Sequence, residues 1–250
     1  MGKPITADDL SRQIELLEKQ FFNANVHFEL YMGLARGWNK HIRDIQNSPV
    51  FWQFTMKAHI DAAVVHLCRV YDSHKRALQI SKFLQTVEEN SHLFCESEFR
   101  RRHAANPHVD FLARSSRTID LKQLSRDQAF CSRDNPLIKN LRMWRNNFVA
   151  HFNFEEALNQ TVPMDRRHPL LYEHIKALID GGHDILNRYS SLLDAKTYSD
   201  QFLSPQRSDY SYVLQSLRFA RIGRNWNDRR KWQMIRRTIA ERSSSASTLN

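Results

Sequence analysis

From Leu10 to Ile42 the apolar residues recur at alternating steps of four and three: Leu10, Ile14, Leu17, Phe21, Ala24, Phe28, Tyr31, Ala35, Trp38 and Ile42. Strand side chains alternate with a period of two, so a period near 3.5 held over so many turns belongs to a helix. One seam of that length has to be buried against other helices at a shallow angle. Thr6, with Asp9 three residues on, supplies a relative of the capping box at its start. Gly33 and Gly37 are expected to bend the helix. The chain must therefore be a helical bundle, or contain one.

The rest of the sequence agrees. Only 6 Gly and 7 Pro punctuate 250 residues, which favours long helices over strands and turns. A hydrophobic content of 41% is that of a globular protein with a real core. Ser48-Pro49 opens a second helix running to about Asp72. It is apolar on most sides and is expected to be the central, most buried one. Arg69 and Asp72 stand three apart at its end, on one face. A short helix is expected over 77–89 and one or two more, around 96–104 and 119–130. The triplet Arg100-Arg101-Arg102 reads as a solvated face. Pro169 starts a last bundle helix with the stripe Leu171, Ile175, Leu178, Gly182, Ile185, Tyr189 and Leu192, in which Gly182 admits a close neighbour.

Between these lies Asn135–Asn153. Asn135 suits a helix N-cap and Pro136 the first turn. Leu137, Leu141, Trp144 and Phe148 come next at helical spacing, His151 falls on the extension of the stripe, and Arg145 lies at its edge. Burying such polar groups is costly unless they are paired. Two readings stay open. Arg145 pairs with a carboxylate on a neighbouring helix and His151 is a satisfied core histidine, or the two belong to a site.

The segment Arg145-Asn146-Asn147-Phe148-Val149-Ala150-His151 resembles the Arg-x(4–6)-His signature of the HEPN superfamily. The form Arg-Asn-x-x-x-Ala-His is most similar to the branch of the AbiU abortive-infection proteins. His66-Leu67-Cys68-Arg69-Val70-Tyr71-Asp72, with Leu78, Ile80, Phe83 and Leu84 after it, is similar to that branch too. The resemblance spans about residues 10–195. It implies an all-α, up-and-down bundle of HEPN type, commonly a homodimer whose motif helices face each other. It also implies a metal-independent endoribonuclease of bacterial defence or toxin type. Carried onto this chain, His151 is the general acid/base, Arg145 the phosphate clamp, and Asn146 or Asn147 orients the histidine or the RNA. Arg69 and Asp72 would frame that site, or else form a local salt bridge at a helix end.

The chemistry needs those residue types. Cleaving RNA by 2′-OH attack requires a proton taken and a proton given, which imidazole does near neutral pH. The charge growing on the phosphorane requires a permanent cation with forked donors, which is arginine. In a regular α-helix Arg145 and His151, six apart, lie about 120° around the axis. The commoner family spacing of five gives about 140° on the other side. Asn147, four before His151, shares its face.

The formal charge is +10 and the pI about 9.7, which points to a polyanionic partner. Residues 201–250 hold ten Lys or Arg against three acids, a net +7. There Trp226 and Trp232 lie among Arg224, Arg229, Arg230, Lys231, Arg236 and Arg237, with Arg218 and Arg221 just before and Arg142 beside the motif. Aromatics interleaved with cations suit RNA. The same segment also reads as a basic amphipathic helix packed on the bundle or, third, lying on a membrane surface. The residues after Arg242 have the composition of a disordered tail.

The expected organisation is a bundle over 1–197 and a basic extension over 198–250. Three widely spaced cysteines, Cys68, Cys95 and Cys131, argue against a disulfide frame or zinc site and for a reducing cytoplasm. No secretion signal or membrane span is read. His168, Glu173, His174, His183 and Asp184 lack tight metal-ligand spacing, so no metal or other cofactor is expected. The partners expected are RNA, a second copy of the chain and an antitoxin or other defence protein, and no membrane. The alternative function is a non-catalytic helical module that binds RNA or a protein partner.

Overall fold

The structure is a computed structural model that describes residues 4–72, 76–115, 117–146, 170–199, 206–224 and Arg237. It is all-α, with no strand among the described residues. The helices in order are α1 (Ala7–Gly37), α2 (Ile42–Ile45), α3 (Pro49–Val70), α4 (Ile80–Glu89), α5 (Glu96–Arg102), α6 (Val109–Leu112), α7 (Leu121–Phe130), α8 (Pro136–Trp144), α9 (Tyr172–Asp194) and α10 (Gln206–Arg224). The chain divides into two compact units. One comprises Met1–Phe28 with His59–Phe202, the other Glu29–Ala58 with Leu203–Asn250. The helices α1 and α3 each contribute to both.

In the larger unit α1 starts as its sequence asks. Thr6 and Asp9 exchange hydrogen bonds, with Asp9 accepting from the Thr6 backbone at 3.0 Å and the Asp9 backbone donating to the Thr6 hydroxyl at 3.2 Å. Leu10, Ile14, Leu17, Phe21, Ala24 and Phe28 are all buried, so the first half of the stripe is core. They share that core with Ala63, Val64, Leu67 and Val70 of α3, Ile80, Phe83, Leu84 and Val87 of α4, and Ile175, Leu178, Ile185, Leu186 and Tyr189 of α9. A Cβ at Gly182 would run into the Phe21 ring, so the glycine is what lets α9 come this close. Beside it Glu18 takes a hydrogen bond from His183 Nδ1 at 2.8 Å. The other ring nitrogen of His183 faces the Tyr198 carbonyl at 3.1 Å. The ring is thus held between a carboxylate and a backbone carbonyl.

The end of α9 is heavily capped. Arg117, buried, donates to the Ser191 and Leu112 carbonyls and lies 4.0 Å over the Phe99 ring. Arg102 donates to the Asp194 carboxylate at 2.8 Å and to the Leu193 carbonyl at 2.6 Å. These cations meet the carbonyls that a helix C-terminus leaves unpaired, and oppose its dipole. Arg100 and Arg101 do form a solvated face, paired with Glu96, Asp110 and Glu98. Arg102 departs from that expectation because it alone of the triplet points at α9.

Along the contact of α1 with α3 runs a ladder of polar rings. Gln20 and His27 are seven apart on α1, His59 and His66 seven apart on α3. His27 Nδ1 lies 3.0 Å from His59 Nδ1, the His27 and His66 rings stack at 5.9 Å, and His66 Nδ1 is 2.9 Å from Gln20 Oε1. One of the two facing Nδ1 atoms must be unprotonated to accept. Burial lowers the pKa of all three histidines from the ordinary 6.5. His27 adds to this at His59, and Arg69 and then His27 add to it at His66.

The smaller unit has its own core of Leu34, Ile45, Trp52 and Leu214, flanked by Trp38, Met56, Tyr210 and Leu217. Gly33 and Gly37 sit against Tyr210 and Leu214 of α10. The helix ends at Gly37, and Ile42 belongs to α2. Leu34 is buried while Tyr31, Ala35 and Trp38 are only half-buried. The buried line of α1 is set here by a different group of partners. The expectation for α3 also needs correcting. Its second half is core, but Val50, Phe51 and Phe54 are 62%, 61% and 67% exposed. A helix apolar on most sides is buried only where partners surround it.

Gly182→Ala should destabilise the fold by about 1–3 kcal/mol in urea unfolding, since the fully buried Phe21 ring would have to shift. A melt as stable as wild type would mean the two helices can part. The histidines give a pH dependence. A folded pKa below the unfolded 6.5 means stability present above 6.5 and lost as pH falls below it, because the unfolded chain binds the protons first. The melting temperature should therefore drop from about pH 7.5 to 5, and His27→Gln with His59→Gln should flatten that slope. An unaltered slope would remove the ladder from the account.

Candidate functional site

Asn135 caps α8 through its side-chain oxygen, which accepts from the Leu137 backbone at 2.9 Å. Its amide donates to the Phe130 carbonyl at 2.7 Å, tying the start of α8 to the end of α7. Pro136 occupies the first turn. The face turned inward carries Ile138 and Leu141, with Leu137 and Trp144 half-buried at its margin. The apolar stripe read from the sequence is thus rotated by about one residue at its start.

Past Trp144 the backbone changes. Arg145 and Asn146 lie in a π-type turn rather than an α turn. Such wide turns recur at functional sites and shift the helical register. The angle of about 120° between Arg145 and His151 supposes a regular α-helix from one to the other. That supposition already fails at Arg145.

Arg145 is half-buried, and its partner stands just past the end of α3. Nη1 donates to Asp72 Oδ1 at 3.1 Å, the two side chains being 27% and 24% exposed. Nε donates to Asn146 Oδ1 at 3.0 Å. Two of the five N–H groups of the guanidinium are used in this way, and the Nη2 group lies outside both bonds. Cys68, one turn before Asp72, packs beneath with its thiol 3.8 Å from the Leu141 carbonyl. Burial pushes this thiol up to about 12 against the opposing pull of Arg145, with Asp72 adding to the rise. It is therefore a neutral packing group and not a nucleophile near neutral pH.

The other expected residues fall as follows. Asn146 is exposed, and Arg69 is exposed on the last turn of α3. Arg142 is half-buried, with its Nε buried and without a hydrogen-bond partner among the described residues. Arg218 lies exposed on α10, Arg221 and Arg224 lie on the last turn of that helix, and Arg237 is exposed. Asn147, His151, Trp226, Arg229, Arg230, Lys231, Trp232 and Arg236 lie outside the described residues. The structure thus brings Arg145, Asn146 and Asp72 together. Sequence reasoning quoted Cys68 within the His66–Asp72 segment without foreseeing that it packs beneath the pair, and it did not foresee the π-type turn. Cys68 had a usable signal, four residues before Asp72 on the same face. The turn had none.

A helical bundle in which the end of one helix holds the arginine of an Arg-Asn-x-x-x-Ala-His segment is a domain of the HEPN class. The chain belongs to the AbiU2 family of HEPN domains, whose model matches residues 7–213. No curated protein and no solved structure gives a match to it.

Asp72→Asn should cost the fold no more than about 1 kcal/mol, because the pair is partly solvated. It should nonetheless free the guanidinium, seen as a shift of the Arg145 Nε–H resonance in NMR. An unmoved resonance would mean that Asp72 does not hold Arg145.

Proposed function

We propose that this protein is a metal-independent endoribonuclease of bacterial defence or abortive-infection type, acting as a homodimer. The observation that carries the reading is the Arg145–Asp72 pair, which fixes the first residue of the family motif at the end of α8. Asp72 takes one edge of the guanidinium and leaves Nη2 for a non-bridging phosphate oxygen. The cation then stabilises the charge that grows on the phosphorane. His151 takes the 2′-OH proton or protonates the departing 5′-oxygen. One histidine serves one end of the reaction at a time, so two copies across a dimer would supply both. The products are a 2′,3′-cyclic phosphate and a 5′-hydroxyl. Asn146 and Asn147 orient the histidine or the RNA, and an antitoxin or another defence protein would hold the activity in check.

The same pair also favours a second reading. An arginine bonded to a carboxylate on a neighbouring helix is what a structural ion pair looks like. The domain would then bind RNA or a protein partner without cutting.

RNA cleavage in EDTA separates the two. Wild type should cut and leave cyclic-phosphate ends. His151→Ala and Arg145→Ala should each lose about 100-fold or more in rate, while melting within a few degrees of wild type. Variants that cut as well as wild type, or a wild type that never cuts, would leave the non-catalytic reading.

A further inference from the structure

The two units differ greatly in charge. Residues 29–58 hold Arg36, Lys40, Arg43 and Lys57 against Glu29 and Asp44, a net +2. Residues 203–250 hold ten Lys or Arg against three acids, a net +7. The smaller unit therefore carries +9 of the chain's +10, and the larger unit, with more than twice the residues, only +1. The charge is not a property of the tail alone. It includes the segment that joins α1 to α3.

That segment also carries the most exposed apolar row among the described residues of its unit. Val50, Phe51 and Phe54 stand 62%, 61% and 67% exposed on the first turns of α3. Phe51 and Phe54 are three apart, and Lys57 is three further on, so the three lie along one side of the helix. Lys57 is exposed, as are Lys40 and Arg43 just before the helix. The neighbouring Trp52 points the other way, into the core of the unit, with the Phe51 ring edge-on to it at 5.1 Å. The core is thus complete without the two phenylalanines.

We propose that this row is a docking platform for single-stranded RNA, separate from the Arg145 motif. Two exposed rings on a helix give flat faces for unpaired bases. The cations beside them meet the phosphates, and the net +9 of the unit supplies the long-range attraction. A duplex hides its base faces and would gain only the electrostatic part. The choice of RNA as the polyanion rests on the ribonuclease reading, and the platform names the form of RNA that the protein takes up.

The test uses the full chain carrying Arg145→Ala, so that no cutting interferes, and a fluorescein-labelled oligouridine of about 20 residues in EDTA. Phe51→Leu with Phe54→Leu keeps an apolar surface and removes the rings. The affinity should fall by about tenfold or more at fixed salt, while the slope of log Kd against log salt stays as it was. An RNA duplex of about 20 base pairs should lose almost nothing. Phe54→Trp should keep or strengthen oligouridine binding, which a misfolded platform would not do. Unchanged oligouridine affinity in the double leucine variant overturns the platform and leaves the cleavage reading untouched. Sedimentation with anionic vesicles that exceeds oligouridine binding, and survives the leucines, overturns it in favour of a membrane surface. A dimer that dissociates in the double leucine variant, with RNA affinity intact, overturns it in favour of a second copy. The cleavage reading is judged separately, by wild-type cutting with and without His151.

Discussion

The Phe21 ring lies directly against the backbone of Gly182, and much of the larger unit depends on that approach. It sets α1 antiparallel to α9 at the distance of a helix without a side chain. At that distance Glu18 reaches His183 at 2.8 Å and Ser11 reaches Asp194 at 2.5 Å. The last turn of α9 is then held where Arg102 and Arg117 can serve its carbonyls. Phe21 also meets Tyr71 edge-on at 5.8 Å, and Tyr71 donates to the Leu178 carbonyl at 2.7 Å. The end of α3 is thereby bound to α9. Asp72, the next residue, inherits its place from this packing.

The position of Arg145 therefore has two supports. Its backbone is set by α8, which Asn135 ties to the end of α7. Its guanidinium is set by Asp72, which the packing of Tyr71 holds. A guanidinium bonded at both Nη1 and Nε is held in one orientation. The same arrangement explains why a partly exposed ion pair matters more for geometry than for stability. Its energy is small in a partly solvated place, while the direction it gives to the guanidinium is not.

The division of charge gives the two units different characters. The larger has the family motif, a core crossed by polar pairs and almost no net charge. The smaller has a compact aromatic core, exposed phenylalanines and nearly all the excess of cations. The net +9 of the smaller unit makes a field felt over about a Debye length, which the +1 of the larger does not.

Periodicity by itself determined the helical class, the core face of α1 as far as Phe28, the close-approach role of Gly182, and the starts of α1 and α8 at Thr6 and Asn135. These are local: they depend on spacing and on capping chemistry that a few neighbouring residues supply. The motif wording also placed the chain in its family, and Arg145 with Asp72 could be named as members of one site. Tertiary structure alone decided that Asp72 is the partner of Arg145, because two residues 73 apart in sequence meet only through the packing of α3 on α8. It also decided that the first turns of α3 face outward, that Arg102 and Arg117 cap α9, and that His27, His59 and His66 lie together. Hydrophobicity states that a side chain gains from burial, and says nothing of whether a partner is there to bury it.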